Sequence, residues 1–315
     1  MNSTTQPDSN YPDRDKVAVI IPAYNESRFI GSVVLSACRY ASTVIVVDDG
    51  STDDTAEIAG AAGAIILHHA SNTGKGTALN TGFEHARKNT GAQVIVMIDG
   101  DGQHNPAEIP LLVQPILDGR ADVAIGSRFL EAKSKIPKWR QFGQHALTIA
   151  TNLGSSSNFT DSQSGFRAFA RSVLDVFRFD SRGFSVESEM QFMVHEVGLR
   201  VIEAPITVVY SEPAKRNPVA QGLQVINGLL RLVSQYRPLL YFGGGGMLVL
   251  TIGVLWGFYV VDRYNRVGTL AIGYALVSVL LMVIGSTAFF SGVILHTMRG
   301  LIMEIKKFIE RSEGS

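Results

Sequence analysis

Between Lys16 and Tyr210, short runs of β-branched and apolar residues alternate with longer stretches in which apolar positions recur every three or four residues. Strands give continuous or period-2 apolar runs and helices a 3.6-residue period, so this alternation predicts an open α/β sheet. Val17–Ile21, Val44–Val47, Ala64–Leu67, Val94–Ile98 and Val123–Ile125 read as strands, most of them ending in Gly, Asp, Asn or Pro. Arg28–Tyr40, Thr52–Ala62, Gly76–Asn89 and Pro106–Asp118 read as helices, with Ser51 and Asn105 as candidate caps. Ligands of such sheets bind beyond the carboxyl ends of the strands.

After Val209 the pattern changes. Within Asn217–Tyr236, Leu223, Ile226, Leu230 and Val233 recur at helical spacing beside Arg231 and Gln235, as in a helix lying in a membrane interface or one packed on the domain. Leu239–Val261 and Leu270–His296 each approach or exceed the roughly 20 apolar residues that cross a bilayer. Gly243–Gly246 would weaken a soluble helix, but small residues let membrane helices pack closely. The expected plan is an unstructured lead-in at 1–15, a catalytic domain at 16–210, a juxtamembrane helix at 211–238, a hairpin of two spans at 239–296 (239–261 and 270–296) and a tail at 297–315. Arg231, Arg237, Arg299, Lys306, Lys307 and Arg311 flank the outer ends of the hairpin. Only Arg263 and Arg266, offset by Asp262, lie in its loop, Asp262–Thr269. The positive-inside rule then puts the catalytic domain and both termini on the cytoplasmic side of the cell membrane.

Composition narrows the function classes. A chain of 315 residues allows one sizeable domain plus extras. Lys plus Arg balance Asp plus Glu at 28 each, so no global field draws it to nucleic acid. The single cysteine, Cys38, cannot form an internal disulfide and sits among apolar neighbours.

The chemistry concentrates in Val96-Met-Ile-Asp99-Gly100-Asp101-Gly102-Gln103, two carboxylates at alternate positions and an amide oxygen two further on. Mg²⁺ or Mn²⁺ takes such oxygen ligands and bridges them to substrate phosphates. Asp99, Asp101 and Gln103 are therefore the candidate metal ligands. A calcium loop starting at Asp99 would need Gly at its sixth position and Glu at its twelfth, where His104 and Pro110 stand. Asn72-Thr-Gly-Lys-Gly76 is not a P-loop, since no Ser or Thr follows the lysine, and no dinucleotide fingerprint follows the first strand. The pair His68-His69 lacks metal-ligand spacing and reads as structural or exposed.

Pro22-Ala-Tyr-Asn-Glu26, Val46-Val-Asp-Asp-Gly-Ser-Thr52, Asn72-Thr-Gly-Lys-Gly76 and Asp99-Gly-Asp101, in that order over about ninety residues, resemble the N-terminal half of family 2 glycosyltransferases of the GT-A fold, a Rossmann-like α/β domain. Gly126-Ser-Arg128, Asp161-Ser-Gln-Ser-Gly-Phe-Arg167 and a membrane hairpin narrow the resemblance to dolichyl- and other polyprenyl-phosphate hexose synthases. The resemblance implies that Pro22, Tyr24 and Glu26 line a nucleoside pocket, that Asp48 or Asp49 meets the base, and that Lys75 and Asp99 serve the nucleotide sugar. It assigns Arg128, Ser164 and Arg167 to the acceptor phosphate, where guanidinium groups can fork onto oxygens. Lys138 and Arg140 join them from the basic run with Lys133 and Lys135, read as facing a membrane or as a solvated loop. Relatives often carry a basic grouping after the last domain strand, where this chain has Lys215 and Arg216.

The implied reaction is inverting, metal-dependent transfer of a hexose from a nucleotide sugar to a polyprenyl or dolichyl phosphate, with UDP-hexose favoured over GDP-mannose. Asp101 acts through the metal. Asp161 orients the acceptor or, were the acceptor a sugar hydroxyl, serves as base. The rivals are a glycosyltransferase that extends a lipid-linked saccharide or makes a polysaccharide and a non-catalytic membrane scaffold. Oligomeric state is left open.

Overall fold

The structure is a computed structural model that describes residues 11–130, 144–145, 148–149, 151–152, 158–179, 186–209, 234, 237–269 and 271–313. Two compact units divide the chain, residues 1–229 and 230–315.

The first unit carries a seven-stranded sheet: β1 (Val17–Ala23), β2 (Thr43–Asp48), β3 (Ile65–His68), β4 (Val94–Met97), β5 (Val123–Ser127), β6 (Arg167–Ala170) and β7 (Val201–Pro205). Their order across the sheet is β3-β2-β1-β4-β6-β5-β7. The half from β3 to β4 is parallel, as is β5 with β7, while β6 runs antiparallel to both its neighbours. The helices are α1 (Ile30–Ala37), α2 (Thr55–Ala61), α3 (Lys75–Asn89), α4 (Ile109–Leu117) and α5 (Val186–Val197). Val17, Val19 and Ile21 of β1 pack into one cluster with Ile30, Val34, Leu112 and Val113 of α1 and α4. Ala18 and Ile20, on the alternate face, join Leu79, Phe83, Phe177 and Met190 of α3, α5 and their surroundings. All five residues from Val17 to Ile21 are fully buried, so the strand reads as a continuous apolar run because both faces are covered. Each such side chain contributes about 1.5–3 kcal/mol of transfer free energy.

The five expected strands and four expected helices are present, with helix ends drawn in by a few residues. Asn105 caps as expected, accepting from Ala107 N–H at 3.1 Å. Ser51 does not: its hydroxyl accepts from Asn25 N–H, and Asp53 takes the Thr55 N–H at the start of α2. β6, β7 and α5 were not anticipated. The lead-in expected to lack structure through Asp15 is ordered from Tyr11, whose ring meets Tyr40 edge-on, and Arg14 donates to the carbonyls of Cys38 and Ala41. The expectations for Lys133, Lys135, Lys138, Arg140, Lys215, Arg216 and most of Asn217–Tyr236 fall outside the described residues.

The second unit contains a π-turn at Leu239–Gly244, α6 (Gly245–Val267) and α7 (Ile272–Glu313). Leu239–Val267 and Ile272–Ile302 are long and apolar enough to cross a membrane, with mean hydropathies of 1.8 and 2.2. α6 continues past the expected end at Val261 and stops at Gly268, whose φ of 72° suits glycine. Glycines set the contact: side chains at Gly246 or Gly285 would strike the backbone of the opposite helix, and one at Gly292 would lie 2.5 Å from Gly243 N. Ser278 Oγ donates to Gly253 O at 2.8 Å.

Candidate active site

The carboxyl ends of β1, β2 and β4 lie side by side, and the loops that leave them are joined by side-chain bonds. Asn25, at φ 55°, adopts the left-handed conformation that asparagine tolerates. Its N–H donates to Ser51 Oγ at 3.0 Å, and its Oδ1 accepts from Thr52 N–H at 2.9 Å. Glu26 N–H donates to Thr55 Oγ1 at 2.8 Å. Pro22 thus lies beside Val47 one residue before the strand ends at Ala23, Tyr24 is 41% exposed, and Glu26 begins the turn into α1.

Asp48 and Asp49 are both buried but have different partners. Asp48 accepts from Ser51 N–H and pairs with His68. Asp49 accepts from Thr73 N–H at 3.0 Å, Thr73 Oγ1 at 2.8 Å and Gly74 N–H at 2.7 Å, and pairs with His69 at 2.7 Å. Burial alone would raise its pKa, but the bonds from Thr73, His69 and Gly74 outweigh this and hold it below the ordinary carboxylate value. Asp49 therefore organises the 72–74 loop and fixes where α3 begins.

That anchoring aims Lys75, the first residue of α3. Its Nζ lies 2.5 Å from Asp99 Oδ1 and 2.6 Å from Glu187 Oε1, on the first turn of α5. Burial would lower its pKa, but Asp99 and Glu187 more than compensate and hold it above the usual lysine value. Lys75 in turn outweighs the burial of Glu187 and takes that carboxyl down to about 2. Asp99 follows β4, and the backbone of Gly165 presses on its carboxylate: a side chain there would overlap Asp99 Oδ2. Asp101 accepts from Gln103 N–H at 3.0 Å. Its pKa is pushed up to about 6 by burial and by the neighbouring charges of Asp99 and Glu26. Among the described residues no three His, Cys, Asp or Glu converge on a metal position. The donor set at the β4 end is instead two carboxylates with the Gln103 amide, crowded with negative charge and short of ligands, which suits a hard cation completed by phosphate oxygens.

Asp161 is fully buried and ligated. It accepts from Arg128 Nε at 2.6 Å, Arg128 Nη2 at 2.7 Å, and the N–H groups of Arg128 and Gln163 at 3.2 Å. Glu203 of β7 fixes the same loop from beneath, accepting from the N–H groups of Thr160 at 2.9 Å and Asp161 at 3.2 Å. A carboxylate with four donors on its two oxygens is a counter-ion to Arg128, with both oxygens committed inside the loop. Arg167, 1% exposed, donates to the carbonyls of Ser164 and Ser162, each at 2.9 Å, and burial draws its pKa down to about 10. Ser164 is also fully buried. Arg167 and Ser164, expected at the acceptor phosphate, have polar groups bonded within this buried loop.

Glu187, Gly165, Glu203 and His104 were not singled out from sequence. Glu187 had a signal in the acidic start of an apolar-periodic helix, Val186-Glu-Ser-Glu-Met190. His104, packed against Phe166 with Nδ1 unpartnered among the described residues, is pulled down to about pH 4 by burial. It had no signal beyond its place after Gln103.

The family model for glycosyl transferase family 2 matches residues 18–177. The UDP-N-acetylglucosamine–dolichyl-phosphate N-acetylglucosaminyltransferase of Methanococcus voltae is 32% identical over 240 residues, covering 69% of this chain and 95% of that protein. Glycosyltransferase AglJ of Haloferax volcanii is 29% identical over 309 residues, covering 96% of this chain and all 100% of the relative. Among solved structures, glucosyl-3-phosphoglycerate synthase from Mycobacterium tuberculosis, in complex with Mn²⁺, UDP-glucose and phosphoglyceric acid, superposes with a TM-score of 0.55 at 24% identity, covering 70% of this chain and 80% of that one.

Proposed function

This chain belongs to glycosyl transferase family 2 and is a glycosyltransferase of GT-A architecture, and from that premise we propose that it transfers a hexose from a UDP-sugar to a polyprenyl phosphate. The observation that carries the reading is the meeting of Asp99, Asp101 and Lys75 at one strand rim, beside the joined loops of Pro22–Glu26 and Asp48–Thr52. The loops hold the nucleoside, with Tyr24 and Glu26 as the reachable groups. Asp48 serves the base better than Asp49, whose oxygens already hold the 72–74 loop. Asp99, Asp101 and Gln103 are the ligands for Mg²⁺ or Mn²⁺, which when bound offsets charge on the departing diphosphate. Lys75 adds a further positive charge there.

The nucleophile needs little help. A phosphate monoester is largely ionised at pH 7, its second pKa being about 6, so its oxygen attacks the anomeric carbon as the bond to the nucleoside diphosphate breaks, with inversion. No side chain has to remove a proton, which agrees with Asp161 being tied to Arg128. Polyprenyl phosphate as acceptor is supported by the dolichyl-phosphate relative and by two helices suited to a bilayer. UDP as nucleotide is supported by the same relative. A cytoplasmic location of the domain is supported by the basic residues flanking the outer ends of those helices.

The test incubates the full chain with Mg²⁺ or Mn²⁺, a panel of UDP- and GDP-sugars and polyprenyl phosphate, and reads the lipid by mass spectrometry. A hexosyl or N-acetylhexosaminyl phospholipid from a UDP-sugar is expected. Absence of any sugar-lipid with every donor refutes the reading.

A further inference from the structure

Lys75 is bonded to one of the carboxylates that would hold a divalent cation. Its ammonium makes a short bond to Asp99 and a second to Glu187, 112 residues further along the chain. Neither partner is incidental. Asp49 pins the loop that starts α3, which fixes where the lysine stem begins, and Gly165 presses Asp99 into place from the other side. The lysine side chain is 31% exposed, Asp99 28% and Glu187 12%, so the pair faces the open site while the anchor lies behind it. An ammonium has three N–H donors, and two are spent on these carboxylates.

We propose that Lys75 is a resident counter-ion that neutralises Asp99 in the empty site and is released from it when a nucleotide diphosphate arrives, so that metal and donor bind as a couple. The inference rests on the proposed metal-dependent transfer and concerns the order in which its parts assemble. With no donor present, a divalent cation at Asp99 would have to displace a bonded ammonium and lie against it, and like charges at that range repel. A diphosphate removes the conflict, since its oxygens can accept from Lys75 while Asp99 turns to the metal. Glu187 is the positioning residue: it keeps the ammonium nearby throughout, and the lysine does not have to be gathered from solvent when the donor enters. Such coupling is reciprocal, so the metal strengthens nucleotide binding by the factor by which the nucleotide strengthens metal binding.

The test is Mn²⁺ binding by the detergent-solubilised full chain, read from the electron paramagnetic resonance signal of free Mn²⁺ with and without UDP. In the unaltered protein UDP tightens Mn²⁺ by about tenfold or more. Lys75→Met tightens Mn²⁺ without UDP by about tenfold and shrinks the UDP effect towards unity. Glu187→Gln does the opposite, weakening Mn²⁺ alone severalfold, because the ammonium is left to Asp99. The Lys75→Met/Glu187→Gln double variant removes both charges, leaves no buried carboxylate unpaired, and follows the lysine variant. A lysine or double variant that binds UDP but holds Mn²⁺ no tighter than the parent overturns the proposal, as does a Glu187→Gln shift in the same direction as Lys75→Met. Failure of the unaltered protein to bind Mn²⁺ even with UDP overturns the metal-dependent reading as well. Normal coupling there with unmoved variants overturns only the role of Lys75.

Discussion

Replacing Asp161 by asparagine separates two accounts of that residue. The substitution keeps the shape but puts an NH₂ group in place of one oxygen. If that group occupies the Oδ2 position, it confronts Arg128 N–H and Nε–H, donor against donor. Turned the other way, it confronts Arg128 Nη2 and Gln163 N–H instead. In either orientation Arg128, 8% exposed, loses its ion pair with the Asp161 carboxylate. Breaking a buried pair from one side costs about 3–5 kcal/mol, most of it the penalty of the stranded ion. For a domain of about 200 residues each kcal/mol lowers the melting temperature by roughly 2–4 °C, so the expected drop is roughly 6–20 °C. Thermal unfolding of the full chain in detergent measures it, alongside sugar-lipid formation at a temperature where the variant is folded. Adding Arg128→Met removes the stranded charge and should recover much of the loss, since the two residues are in direct contact and their effects do not add. A melting temperature within about 2 °C of the parent, with activity abolished, would refute the counter-ion account and restore Asp161 as a group acting on substrate.

Gly165→Ala places a methyl group on the Asp99 carboxylate and should weaken Mn²⁺ binding in the presence of UDP by about tenfold while the fold survives, as checked by the same resonance titration and by thermal unfolding. Gly285→Val drives a branched side chain into the Leu250 backbone and should cost about 1–3 kcal/mol of packing between α6 and α7, seen as earlier thermal aggregation of the detergent-solubilised protein. Chelation by EDTA should abolish transfer and Mn²⁺ or Mg²⁺ should restore it, as followed by lipid mass spectrometry; full activity after exhaustive chelation would count against Asp99 and Asp101 as metal ligands. Asp49, held below its ordinary value of 3.8 by Thr73, His69 and Gly74 despite burial, contributes stability that is present above pH about 4 and lost as pH falls through its lower folded value. Acid unfolding of Asp49→Asn should therefore lack that part of the slope below pH about 4.

β1, β2 and β4 were legible because they are buried on both faces and appear as unbroken apolar runs, and because Asp99-Gly-Asp101 sits where such a run ends. β6 escaped because it is four residues long and opens on an arginine, which reads as a loop until its guanidinium is seen bonded to carbonyls. Glu187 escaped for a different reason: nothing local couples a carboxylate on α5 to a lysine 112 positions earlier. Arg167 and Ser164 were legible as special, but not the structural task they carry, since the chemistry that suits a phosphate also suits a buried turn with carbonyls to satisfy. His69 shows the converse, a residue set aside for want of metal-ligand spacing that bonds the aspartate anchoring the lysine loop.

The reversed direction of β6 bears on how such enzymes diversify. Because Arg167 lies beside Met97 and Ile125, the chain leaves the sheet after β5 and re-enters it before β6 at one rim, the rim that holds the carboxylates. The intervening segment, residues 128–166, can thus be exchanged or lengthened without rethreading a single parallel strand. A graft of that segment from a relative would have to keep Gly165, because any side chain there would overlap the Asp99 carboxylate.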